Sequence, residues 1–100
     1  MSVYLMLTTL TDEGRKAIQE EPERLRELNK EVELMGVKTL VQYALLGQYD
    51  FVNIIEAPSN EAAARLAIRL SARGTTQTLT LAAIPVEDLI AALKQKESPW

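Results

Sequence analysis

The sequence contains neither cysteine nor histidine. Without cysteine there is no disulfide, no thiolate nucleophile and no thiolate metal site. Without histidine the commonest general base and the commonest metal or haem ligand are missing. Aromatic side chains are scarce, with one Trp, one Phe and three Tyr among 100 residues. That is too few for a base-stacking platform, and the net charge of −3 also argues against nucleic acid or an anionic membrane as partner. No apolar run reaches the roughly 18 residues of a membrane span. The N-terminus has no basic region ahead of an apolar stretch, so no secretory signal is expected. A phosphate-cradling glycine loop, a dinucleotide fingerprint and metal-ligand spacing are all lacking. These absences point to a cytoplasmic protein that uses no metal and no cofactor.

What remains has the make-up of an ordinary globular domain, 47% apolar and 25% charged. Residues 1–100 are read as one domain. The centre of the sequence is the stretch from Tyr43 to Ile55. Apolar residues lead into Gly47-Gln48-Tyr49, and Phe51-Val52-Asn53-Ile54-Ile55 leads out, which predicts a β-hairpin.

Around it, Val3–Thr8 reads as a first strand. Thr11-Asp12-Glu13 opens a helix with a capping hydroxyl and two acids. Ile18, Leu25, Leu28, Val32 and Met35 recur at helical spacing and mark its buried side. Pro22 predicts a kink or two abutting helices near Glu20–Glu21, and Gly36 a C-terminal stop. Strands follow at Val37–Leu46 and Asp50–Glu56. Ser59 caps a second helix with Ala62, Ala63, Leu66, Ala67 and Leu70 facing inward. Thr75–Ile84 is the fourth strand. Pro85 opens a last short helix with Val86, Leu89, Ile90 and Leu93 on one side, and Lys94 to Trp100 reads as a polar tail. The fold class is α+β: a ferredoxin-like βαββαβ unit with an antiparallel four-stranded sheet, strands one and three central, plus a short C-terminal helix.

Both helices of such a fold lie on one face of the sheet. An even hairpin loop puts Leu45 opposite Asp50, Tyr43 opposite Val52 and Val41 opposite Ile54 on one face. It puts Ala44 opposite Phe51, Gln42 opposite Asn53 and Leu40 opposite Ile55 on the other. The more apolar face, with Val3, Leu5, Leu7, Leu79 and Leu81, is assigned to the helices. The mixed face, with Tyr4, Met6, Gln42, Phe51, Asn53, Thr78 and Thr80, is then left open. A surface of that kind marks an interface or ligand site. A homodimer with face-to-face sheets is the expected assembly.

The same residues carry a family likeness. Thr11 with Gly14, Pro22 with Arg24, Gly36, Tyr43 followed by Leu46-Gly47-Gln48-Tyr49-Asp50, Glu56-Ala57-Pro58, Gly74 and Thr78-Leu79-Thr80 resemble the GYD-domain family of small bacterial and archaeal proteins. The Gly-Xaa-Tyr-Asp segment is the most specific part. The resemblance implies a dimeric α+β barrel. It assigns no catalytic residues, and the wider group it resembles mixes enzymes with ligand-binding domains. Gln77 and Ala82 stand where relatives tend to carry a basic residue in strand four, which argues against an anionic ligand.

Two functional classes follow. The first is a homodimeric or larger homo-oligomeric module holding a small, mostly apolar molecule in a cleft on the sheet, with Tyr4, Gln42, Tyr43, Asn53, Thr78 and Thr80 as candidate contacts. Gln42 and Asn53 face each other across the hairpin and either satisfy one another or offer donors and acceptors to a ligand. The second is a cofactor-independent isomerase- or oxygenase-type enzyme acting on an aromatic or enolisable molecule. There Asp50 would take a proton and Tyr49 would orient the substrate. Turn chemistry is the preferred reading of Asp50, because turn carboxylates outnumber catalytic ones. The arginines Arg24, Arg65, Arg69 and Arg73 read as a solvated face paired with nearby glutamates.

Overall fold

The computed structural model describes residues 1–95. The elements run β1 (Ser2–Leu10), α1 (Asp12–Glu20), α2 (Arg24–Leu34), β2 (Lys38–Ala44), β3 (Phe51–Ala57), α3 (Asn60–Ser71), β4 (Thr76–Ala83) and α4 (Val86–Lys94). The four strands form one antiparallel sheet in the order β2-β3-β1-β4, with β1 and β3 central as expected. Lys94 closes α4 rather than starting a tail, and the rest of the expected tail, residues 96–100, lies outside the described residues.

The broken first helix follows from its sequence. Pro22 has no N–H to continue the ladder and pushes Glu21 out of helical conformation. Glu21 accordingly sits at φ −143°, ψ 82°, between α1 and α2. Thr11 caps α1 by accepting from the Gly14 N–H at 3.1 Å, and Ser59 caps α3 by accepting from the Ala62 N–H at 3.2 Å. Gly36 follows α2 at φ 80°, where a side chain would strain the backbone.

One contact ties α1 to the start of β4. The Thr11 N–H donates to the Thr75 carbonyl at 3.0 Å, and the Thr11 hydroxyl donates to the Gly74 carbonyl at 2.8 Å. The helix lies so close here that a Cβ on Gly14 would stand 2.1 Å from the Thr75 oxygen. Only glycine fits at this position.

The assignment of faces is reversed in the structure. Tyr4, Met6, Thr8, Ile55 and Thr76 are buried with Val32, Ala63 and Leu66, so the mixed face lies under α1, α2 and α3. The more apolar face is the open one: Val41, Tyr43, Leu79 and Leu81 on it are all exposed. Apolarity alone does not decide which face the helices of the same chain cover, because the other face can be reserved for something else. The hairpin register matches expectation from Val41 to Ala44. It then shifts at a β-bulge between Thr39 and Val41, so Ile55 pairs with Thr39 and not with Leu40.

Candidate functional site

Across the covered face the register sets Gln42, Asn53, Met6 and Thr80 in a row over the four strands. Above this row α1 and α2 do not close fully on the sheet. They leave a cavity of about 70 Å³ walled by Met6, Ile18, Leu28, Phe51, Ile55 and Asn53, among others. A second cavity of about 130 Å³ lies between α1, α2 and the start of β4, bordered by Gly14, Arg24, Glu27, Glu31 and Arg73. Leu10, Ile18, Leu28 and Thr76 line both. The first cavity has no charged side chain in its wall, whereas the second is rimmed by charge. There Glu31 accepts from Arg73 and lies 3.8 Å from Arg69, binding α2 to α3.

Each residue singled out from sequence has a definite place. Gln42 is paired, but not with Asn53. Its amide exchanges two hydrogen bonds with Asn29 of α2, at 2.9 and 3.0 Å, at the exposed edge of the first cavity. The Asn53 Oδ1 is left buried without a partner, as is the Thr80 Oγ1. Tyr4 is a core residue whose hydroxyl donates to the Asn60 Oδ1 at the start of α3. Thr78 is half-buried on the covered face. Tyr43 lies on the opposite, open face, 64% exposed, so the fold separates it from the other candidate contacts.

Asp50 is engaged with the end of β1. Its Oδ2 accepts from the Leu10 N–H at 2.7 Å and lies 3.8 Å from the Arg15 guanidinium. Its own N–H donates to the Thr8 carbonyl at 2.8 Å, and its carbonyl accepts from Leu45 to close the hairpin. These bonds hold the hairpin mouth against the β1–α1 junction. Tyr49 is half-buried beside it. Three of the four arginines are paired as expected: Arg24 meets Glu21 at 3.2 Å, while Arg69 and Arg73 both reach Glu31; Arg65 makes no ion pair among the described residues. Sequence reasoning missed Asn29 and Asn60, the partners of Gln42 and Tyr4. Both lie far from those partners along the chain, and no local spacing points to them.

Two further apolar features are exposed, the open face and α4. Residues Leu79 and Leu81 of the sheet are 44% and 45% exposed. Helix α4 buries no residue, leaving Val86, Leu89, Ile90 and Leu93 bare. The radius of gyration is 16.2 Å, against about 13 Å for a compact domain of this length. Among the described residues no cluster of acidic side chains could hold a metal ion, and no helix is long and apolar enough to cross a membrane.

A model of the GYD domain matches residues 4–93. The chain belongs to the GYD-domain family. A relative from Thermus thermophilus is 48% identical over 95 residues, spanning 94% of this GYD protein and all of the relative. That relative is named a glutamine synthetase and cystathionine beta-lyase binding protein. Among solved structures, the crystal structure of FFRP-DM1 is similar in fold, with a TM-score of 0.56 at 20% identity. The likeness covers 84% of this chain and all of that one, and it shows the ferredoxin-like arrangement alone.

Proposed function

We propose that this GYD protein is a homodimeric module of the cytoplasm that binds other proteins, glutamine synthetase and cystathionine beta-lyase first among them. The observation that carries the reading is the 48% identity, over 94% of this chain and the whole of the relative, to a protein named for those two partners. The dimer is argued from the open face. Leu79, Leu81, Val41 and Tyr43 on the open face, and separately the unburied apolar side of α4, are groups that water disfavours and that a second copy would cover. Two stacked sheets would bury it at the roughly 1,000 Å² or more of a stable interface. Immobilised GYD protein should retain purified glutamine synthetase and cystathionine beta-lyase from the same organism in a biosensor assay. The reading fails if neither is retained at micromolar concentration.

A second reading, binding of a small, mostly apolar molecule, is favoured by the cavities between α1, α2 and the sheet. The enzyme alternative is supported less. Asp50 is already held by Leu10 and Arg15, and it lines neither cavity.

A further inference from the structure

We infer that α4 is an arm exchanged between two chains: in a two-fold pair, each α4 lays its apolar side against β2 of the second copy. This rests on the dimer reading above and gives it an axis and a clasp. Helix α4 has nine residues and buries none of them against its own chain. A helix shorter than about 12–15 residues is marginal in water unless another surface packs on its apolar side. Val86, Leu89, Ile90 and Leu93 fall at i, i+3, i+4 and i+7, one continuous stripe. Val86 and Leu93, at its ends, are 69% and 75% exposed. The helix therefore needs a surface that its own fold withholds.

The chain carries the matching gap at its other edge. Strand β2 is an edge strand in which every residue but Thr39 is exposed. Leu40, at the bulge, and Val41 present bare apolar side chains there. An uncovered edge strand invites another chain, and a helix laid over it is one natural remedy. The strand order β2-β3-β1-β4 keeps α4 from doing this within one chain. Helix α4 follows β4, which lies three strand spacings, about 15 Å, from β2. Only Ile84 and Pro85 join β4 to α4, and two residues reach about 7 Å at most. Nor does α4 lie across its own open face, where Leu79 and Leu81 stay exposed.

A second copy removes the obstacle. The register sets Ala83, Val3, Glu56 and Lys38 in one row across the sheet. A two-fold axis along the strands, with the open faces together, turns that row end for end. Ala83, at the root of α4, then stands over Lys38, the first residue of β2, in the second copy. The same operation seats the other helix, so both helices and both edges are covered at once, as an isologous pair requires. Charge agrees with this seat. Lys38 makes no ion pair among the described residues. Glu87 lies beside the stripe in the first turn of α4, next to where that lysine would stand. An unrelated protein would need one patch for the helix and a second for the far edge, whereas an identical chain already carries both.

The test is an isotope-filtered NOE measurement on the full chain, with ¹³C-labelled and unlabelled copies mixed one to one. Intermolecular NOEs from the Leu89, Ile90 and Leu93 methyls to Leu40 and Val41 are expected. By analytical ultracentrifugation, Leu89→Asp should raise the dimer Kd about tenfold or more, because each pair loses two buried leucines. The variant should keep its sheet, since α4 is no part of the core. A dimer whose α4 methyls show contacts only within their own chain, or none, overturns the exchange and leaves the dimer reading standing. So does a dimer Kd that Leu89→Asp leaves unchanged. Contacts from α4 to α4 or to β4 of the second copy overturn the seat on β2. A mass of 11.2 kDa for the wild-type chain at NMR concentration overturns both the exchange and the dimer. The wild-type NOEs decide the matter if Leu89→Asp does not fold.

Discussion

The two faces of the sheet invert a familiar expectation. The face under the helices is chemically mixed: Met6, Ile55 and Tyr4 alternate with Thr8, Asn53, Thr76 and Thr80. The face left to solvent is the more uniformly apolar, through Val41, Leu79 and Leu81. Helices can cover a mixed face because their own side chains and carbonyls answer some of its polar groups. The Thr76 hydroxyl finds the Leu70 carbonyl, the Tyr4 hydroxyl finds Asn60, and Gln42 finds Asn29. An identical sheet brought up against the open face would supply mostly side chains of the same kind, so that face gains most from being apolar. Apolarity therefore reports how a face is to be buried, and not which layer of its own chain buries it.

The largest test of the comparison sets two neighbouring substitutions against each other. Met6 pairs with Thr80, and Leu5, one residue earlier, pairs with Leu81 on the opposite face. Met6 is 1% exposed, so Met6→Asp buries an unpaired charge and should cost about 4 kcal/mol or more. That approaches the lower end of the stability of a domain this size, and the urea midpoint followed by circular dichroism should fall steeply. Leu81→Asp should instead keep the fold and abolish self-association. Light scattering should then give the monomer mass of 11.2 kDa in place of twice that. A variant Leu81→Asp of unchanged mass would break the contrast.

Gly14→Ala probes how tightly the covered face is closed. The added Cβ meets backbone, the Thr75 carbonyl at 2.1 Å, which cannot swing aside as a long side chain would. Helix α1 must lift and strain the Thr11–Thr75 bond, at an expected cost of about 3 kcal/mol. Urea denaturation monitored by far-UV ellipticity measures it, and a loss below about 1 kcal/mol would mean that α1 is free to slide.

Much of this was legible in the sequence, for identifiable reasons. Element order, the break at Pro22 and the hairpin register from Val41 to Ala44 follow from local rules: period, capping, missing N–H groups and turn residues. The inner sides of the helices were also legible, with Val32, Ala63 and Leu66 buried as their spacing predicts. The choice of face was not, because two alternating patterns were both apolar enough to be buried. A useful signal was present in α4. Val86, Leu89, Ile90 and Leu93 form an apolar side, while α1 and α3 already fill the helix positions of the fold. The bulge at Leu40 and the Gly14 contact depend on tertiary approach and leave no periodic trace.

Asp50→Asn is expected to have a smaller effect. The amide keeps an acceptor for the Leu10 N–H but loses the charge beside Arg15, which is half-exposed at 3.8 Å. A stability loss of about 0.5–2 kcal/mol, with partner retention unchanged, fits a residue that pins the hairpin to β1. Unaltered stability together with lost partner or ligand binding would return Asp50 to a functional role.

The smallest effect belongs to the amide pair between Asn29 and Gln42, and it sharpens the comparison at its edge. Helix α2 lies over β2, the edge strand of the covered face, and these two side chains bridge them at 2.9 and 3.0 Å. Both residues are accessible to solvent, so water can replace either partner and the exchange is nearly even. The net worth of such bonds is about 0.5–1 kcal/mol, at the low end when exposed. Asn29→Ala and Gln42→Ala should each lower stability by about 0.5 kcal/mol. The double variant should lose less than the sum of the two, since either substitution alone already breaks both bonds. Strict additivity in that cycle would mean that the amides act separately and that α2 is held over the cleft by Leu25, Leu28 and Val32 alone. A coupling of about 0.5 kcal/mol would make the pair a true latch.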